Sequence, residues 1–207
     1  MNEPALAGLL TDKYELTMLA AALRDGTAHR RTTFELFARR LPDGRRYGVV
    51  AGTGRLLEAL PQFTFDDDAC QLLAQFLDPD TVGYLREFRF GGDIDGYAEG
   101  ELYFPGSPVL SVTGSFAECV VLETLALSIF NHDTAIASAA ARMVSAADER
   151  PLVEMGSRRT HERAAVAGGP PPPPPPPPPG GAPARAAPGC GAARNCAVPR
   201  SPPGCWP

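Results

Sequence analysis

Two arginines behind a glycine turn, Arg158 and Arg159 in the stretch Leu152 to Glu162 (LVEMGSRRTHE), are well placed to do chemistry. A short apolar run reaches Glu154, a Met-Gly-Ser turn follows, and both guanidiniums fall where the next helix should begin. A strand that ends in such a turn and opens a helix leaves backbone N–H groups aimed at one spot, and adjacent arginines make that spot attractive to an anion. The same residues also read as a βα corner with two solvated arginines, and the pattern alone leaves both open. Near the other end, Asp12 is a plausible N-cap with Glu15 three residues on, and Tyr14 falls in the first helical turn. A ring there is either a stacking surface or a side chain packed on a neighbouring loop. Arg39, Arg40, Arg45 and Arg46 gather around the turn Pro42-Asp43-Gly44, as an anion patch or as a solvated hairpin end. Gly52-Thr53-Gly54 before a helix has the outline of a phosphate cradle but lacks the third glycine of the dinucleotide fingerprint, so it reads as tight packing. The triplet Asp66, Asp67 and Asp68 opens a helix, where capping and dipole stabilisation explain it better than metal binding. His29, His132 and His161 are too scattered for a metal cluster, so no metal ligand is expected.

The elements that must position these residues follow from periodicity. Leu9 to Gly26 is a helix with Leu16, Leu19, Ala20 and Leu23 as its apolar stripe, ended by Asp25-Gly26. Arg31 to Arg39 reads as a strand, with Phe34 and Leu36 expected on different registers, and Tyr47 to Ala51 as a short apolar strand. Helices are expected through Leu60, over Phe63 to Leu77 with Leu72, Leu73, Phe76 and Leu77 inward, and from Pro79 through Phe88. Asp93 to Glu99, Glu101 to Phe104 and Val109 to Thr113 read as a small meander or sandwich edge. From Ser115 to Glu149 the pattern is helical, apolar nearly all round in its first half, with a break expected at Asn131-His132-Asp133. A strand at Leu152 to Met155 and a helix from His161 would complete the first unit of a parallel α/β array.

Composition divides the chain. Residues 168–207 hold 16 Pro, 7 Gly, 7 Ala and 3 Arg and no acidic residue, so this tail is expected to be disordered, with polyproline II character over Pro170 to Pro179. Residues 1–167 carry 24 acidic against 16 basic residues, a net charge near −8 that argues against a general nucleic-acid binder. Cys70 and Cys119 sit in apolar helical contexts and read as buried free thiols in a reducing compartment. The tail cysteines, Cys190, Cys196 and Cys205, lack the spacing of a zinc site. No secretory signal or spanning stretch is recognised, so no membrane association and a cytoplasmic location are expected.

The strings LLTDKYELTM, FELFARRLP, AEGELYFPGSPVL and LVEMGSRRTHE occur in this order over residues 6–167, and together they resemble the N-terminal part of bacterial nicotinate phosphoribosyltransferases. The resemblance implies an α/β class: an α+β N-terminal domain (1–114), then the helices and first strand of an irregular, incomplete α/β barrel of type II phosphoribosyltransferase kind (115–167); the disordered Pro-rich tail at 168–207 lies outside it. It implies formation of nicotinate mononucleotide from nicotinate and phosphoribosyl pyrophosphate, with ATP hydrolysis and Mg2+, in a homodimer with interfacial sites. Tyr14 matches the family's ring-stacking tyrosine, Asp12 sits beside it, and Arg158 matches an arginine that holds nicotinate, with Arg159 a second candidate. The family's catalytic histidine and phosphate loops lie on later strands; His161 is not that histidine, no catalytic residue is assigned, and no motif here binds ATP or Mg2+. This chain alone is therefore expected to be inactive. The body's single lysine against 15 arginines suggests a GC-rich genome, so the Pro/Gly/Ala/Arg tail is expected to be an out-of-frame translation. A non-enzymatic alternative is an interaction protein whose ten-proline run docks SH3- or WW-like domains. Quinolinate phosphoribosyltransferase shares the broad fold but fits the Tyr14 string less well.

Overall fold

The computed structural model describes residues 8–153 and 155. Helix α1 (Lys13–Arg24) starts at Asp12, whose N–H donates to the Glu15 carboxylate at 3.0 Å, the capping-box arrangement expected from the spacing. Leu16, Leu19 and Ala20 are buried along it, and Asp25 with Gly26 at φ 69° closes it. Strand β1 (Arg31–Phe37) alternates exposed and half-buried positions, so Phe34 and Leu36 share one face. That corrects the expectation of different registers: side chains two apart in a strand point the same way.

Strand β2 (Gly48–Val49) pairs antiparallel with β4 (Leu102–Tyr103), Gly48 opposite Tyr103. A Cβ on Gly48 would stand 2.2 Å from the Tyr103 ring, so the aromatic fills the space a side chain would need. Helix α2 (Thr53–Ala59) then runs into a 3-10 turn at Leu60–Gln62. The expected helix over Phe63 to Leu77 is shorter, α3 (Asp67–Leu73), capped by the Asp66 side chain, which accepts the Ala69 N–H at 2.8 Å. Phe63 and Phe65 precede it outside any helix and instead meet Phe88 in the core, the three rings packed edge-to-face with centroids 5.7–5.9 Å apart. Leu73 and Leu77 point inward, whereas Leu72 and Phe76, four residues apart on the opposite face, are exposed. The Lys13 ammonium sits 4.9 Å from the centre of the Phe76 ring.

Helix α4 (Pro79–Arg86) is capped by Asp78, which accepts both the backbone N–H and the hydroxyl of Thr81 at 3.0 Å. These bonds hold the Asp78 carboxyl below its ordinary value. The remaining strands, β3 (Asp93–Gly96) and β5 (Pro108–Ser115), do not form a meander with β4. β5 is the centre of a three-stranded sheet in the order β1-β5-β3, antiparallel throughout, while β4 belongs to the separate β2-β4 pair. The strand pairs among the described residues are all antiparallel; a parallel array is not present there. β5 is long and half apolar, with Val109, Leu110 and Val112 buried, which suits a central strand flanked on both edges.

Helix α5 (Phe116–Ala147) follows β5 directly and runs for 32 residues without a break. The expected interruption at Asn131-His132-Asp133 is absent, because no Gly or Pro stands there and the polar groups find partners that helical geometry allows. His132 Nδ1 and Arg55 both bond Asp133 Oδ1, at 2.8 and 2.9 Å, and the Thr134 hydroxyl donates to the Phe130 carbonyl one turn back. α5 packs on α1, α2, β1, β2 and β5, and Val120, Val121, Leu122, Leu125, Ile129 and Phe130 are buried in the shared core. Its length and its 18-residue window of mean hydropathy 1.2 would suffice to cross a membrane, against the expectation that no stretch reaches that length. Half of that window is buried inside the fold, as befits a core helix. Of the strand expected at Leu152 to Met155, the described residues Leu152, Val153 and Met155 form none, and Val153 and Met155 are exposed. A strand exists only through a ladder with a neighbour, and no described segment supplies one.

Candidate functional site

Glu15 organises the first turn of α1. Its side chain is fully buried, and its carboxylate accepts the Thr11 hydroxyl at 2.5 Å and the Asp12 N–H at 3.0 Å through one oxygen. The other oxygen accepts the Thr124 hydroxyl of α5 at 2.6 Å. A carboxylate taken out of water needs such donors, and here they come from both helices, so the pair is locked in one register.

Tyr14 stands beside this lock on the outer surface. Its side chain is 46% exposed, and its hydroxyl donates to Glu123 Oε1 at 2.8 Å. Partial desolvation, then the bond to Glu123 and the charge of Glu15, raise the phenol well above its ordinary value. Tyr14 is therefore a neutral, tethered ring, suited to stacking and unsuited to proton transfer near neutral pH. Asp12, also exposed, contributes its backbone N–H to Glu15. The sequence reading paired Asp12 with Tyr14, and the structure does place them together; it missed Glu123 and Thr124. The available signal was a Glu-Thr pair inside an otherwise apolar helical run.

The groups around the ring, Asp12, Glu15 and Glu123, are carboxylates. A flat anion stacked on Tyr14 would be repelled by them unless a cation answered its charge. Arg158 and Arg159, the expected source of that cation, lie outside the described residues, as do Glu154 and His161.

Elsewhere the candidate anion cradle proves to be satisfied internally. The N–H groups of Gly52 and Gly54 converge on the Glu99 carboxylate, at 3.1 and 2.9 Å. Gly52 has φ 113°, and a Cβ there would meet Ile129 at 3.0 Å, so the tight-packing reading of G-x-G holds. Asp66 caps α3, and Asp67 and Asp68 lie in its first turn. Cys70 and Cys119 are buried free thiols, and burial followed by the charge of Glu118 pushes the Cys119 thiol up to about 11. Among the described residues no group of three or more His, Cys, Asp or Glu side chains is arranged to hold a metal ion.

The comparisons with known proteins agree with the elements that carry Tyr14. Residues 9–131 match the nicotinate phosphoribosyltransferase N-terminal domain. The chain is 89% identical over 160 residues to the nicotinate phosphoribosyltransferase pncB1 of Mycobacterium tuberculosis, a match that covers 77% of this chain and 36% of that protein. It is 37% identical over 164 residues to the nicotinate phosphoribosyltransferase of Bacillus subtilis, covering 76% and 32% of the two chains. The crystal structure of human nicotinic acid phosphoribosyltransferase superposes with a TM-score of 0.70 at 33% identity, covering 77% of this chain and 35% of that one. The chain thus spans about a third of the length of these relatives. With the domain match covering more than half of its residues, this chain belongs to the nicotinate phosphoribosyltransferase family.

Proposed function

We propose that this chain carries the ring-stacking half of a nicotinate phosphoribosyltransferase site, for the reaction that joins nicotinate to phosphoribosyl pyrophosphate in NAD salvage, coupled to ATP hydrolysis. The observation that carries the reading is Tyr14, a neutral ring held by Glu123 on a helix that Glu15 locks in place. Nicotinate is a flat ring bearing a carboxylate. Tyr14 supplies a surface for the ring, and the surrounding acids leave the carboxylate to a guanidinium, the role assigned to Arg158 with Arg159 beside it. In a homodimer, the exposed Tyr14 and the exposed Met18 one turn along α1 would lie against a second copy. A cytoplasmic location fits salvage chemistry.

The glycine turn at Gly52 and Gly54 is not a place for a phosphate of ATP, because its N–H groups hold Glu99, and among the described residues no acidic cluster is arranged for Mg2+. Stabilising the ribosyl cation and its pyrophosphate leaving group requires several phosphate grips and the family's catalytic histidine, which has no counterpart string in this chain. The 207-residue chain by itself is therefore inactive in this proposal, and residues from about 168 are an out-of-frame reading of the gene. Incubating the purified chain with nicotinate, phosphoribosyl pyrophosphate, ATP and Mg2+ should yield no nicotinate mononucleotide; steady product formation overturns the inactivity. Nicotinate binding, followed by ligand NMR, should survive Tyr14→Phe and weaken about tenfold in Tyr14→Ala, the scale of a lost aromatic stack. Equal binding by the alanine variant removes Tyr14 from the site. Reading the coding DNA in all three frames past codon 167 tests the tail: a frame encoding a continuing alanine-rich helix and further strands is expected, and its absence ends that idea.

A further inference from the structure

The arginine cluster around the β1–β2 turn borders a cleft that the nicotinate reading does not use. We propose that this cleft binds a small organic phosphate, its phosphate held by Arg39, Arg40 and Arg45 and its body seated against Tyr103, Leu127 and Phe130. The cleft encloses about 360 Å³, at the small end of ligand sites, and no acidic residue lines it. The three arginine side chains make no ion pair or hydrogen bond with another described residue, although other arginines of the chain do. Three unneutralised guanidiniums next to one another repel, and in a body with a net charge near −8 they had many carboxylates to pair with. Asp43, at the tip of the same turn, is exposed and does not line the cleft. The floor is rigid: Ser138 accepts the Val49 N–H at 2.8 Å, and Arg142 lies over the Tyr47 ring at 4.7 Å while bonding the Tyr47 carbonyl. An anion alone would use only the arginines. The apolar wall, formed by Tyr103, Phe130 and the 44% exposed Leu127, calls for an apolar or flat body attached to the phosphate.

Leu127 is one turn along α5 from Glu123, the residue that tethers Tyr14, or about 6 Å of helix rise. The phosphate could therefore belong to the reaction's pyrophosphorylated sugar or to a separate phosphorylated effector, and the site stands whether or not Tyr14 stacks nicotinate.

The test uses the full 207-residue chain on a solubility partner, with folding checked by circular dichroism and binding followed by calorimetry. Phenyl phosphate is the probe, with phenol and inorganic phosphate as the two halves. Phenyl phosphate should bind at least about tenfold more tightly than either half, one charge-assisted contact being worth about that factor. Arg45→Gln and the double variant Arg39→Gln/Arg40→Gln should each lose about tenfold. Leu127→Asn should weaken phenyl phosphate while leaving inorganic phosphate unchanged. Displacement by phosphoribosyl pyrophosphate assigns the site to the reaction substrate, and displacement by ATP alone assigns it to an effector; either supports a phosphate site. Affinity unchanged in the folded arginine variants, or no saturable binding of phenyl phosphate by the folded chain, overturns the proposal.

Discussion

Glu15 is the single residue whose removal should disturb the Tyr14 surface most. Glu15→Ala leaves the Thr11 and Thr124 hydroxyls and the Asp12 N–H facing a void, and should cost about 2–4 kcal/mol, read as a lowered urea midpoint. Tyr14→Phe removes one exposed hydrogen bond and should change stability by less than about 1 kcal/mol, so a binding loss in Tyr14→Ala reports the ring rather than the fold. Glu118 offers a pH test. Burial pushes its carboxyl up, but the Ser115 hydroxyl, the N–H groups of Ser115 and Gly91 and the His29 charge outweigh this and hold it below 4.5. A carboxyl lowered in the folded state lends stability above the unfolded value, which is lost as pH falls through the folded one. Denaturation midpoints should therefore drop below about pH 4.5 in the native sequence and flatten there in Glu118→Gln. Cys119, buried and with its thiol raised to about 11, should resist iodoacetamide at pH 8 in the folded chain and react after unfolding, as mass spectrometry of its peptide would show.

At the scale of elements, α5 carries most of the organisation. It supplies Thr124 to Glu15, Glu123 to Tyr14, Ser138 to the edge of β2 and Asp133 to Arg55, so one rigid helix sets the positions of α1, β2 and α2 together. Local propensity places its start, because Ser115 and Glu118 form a capping box, but not its length. The polar trio Asn131, His132 and Asp133 looks like a stop in one dimension and is a partner set for Arg55 in three. The β2-β4 pair depends on one missing side chain. Gly48→Ala brings a Cβ against the Tyr103 ring and should cost about 1–3 kcal/mol by thermal or chemical denaturation, unless the ring moves out and exposes the core beneath it.

On the scale of the whole molecule, the core gathers residues from α1 to α5, and the edge-to-face trio of Phe63, Phe65 and Phe88 is part of it. Phe63→Ala should destabilise the chain by about 3–5 kcal/mol, a loss that chemical denaturation would resolve from the smaller cost of the half-exposed Phe76→Ala. Much of this architecture was legible beforehand wherever the cause is local. The α1 start lies in the spacing of Asp12 and Glu15, the turns in Asp25-Gly26 and Pro42-Asp43-Gly44, and the α3 cap in the aspartates that begin at Asp66. The quoted strings also named the family, since they are long and ordered. What the sequence by itself could not determine is which partner satisfies each polar group, because that depends on residues 45 to 109 positions away. Gly52 and Gly54 offer the same N–H groups whether they cradle a phosphate or Glu99, and only packing brings Glu99 to them. Tyr14 likewise sits in a first turn in any reading; that its hydroxyl is held by Glu123, with Glu15 close by, was decided by the docking of α1 on α5.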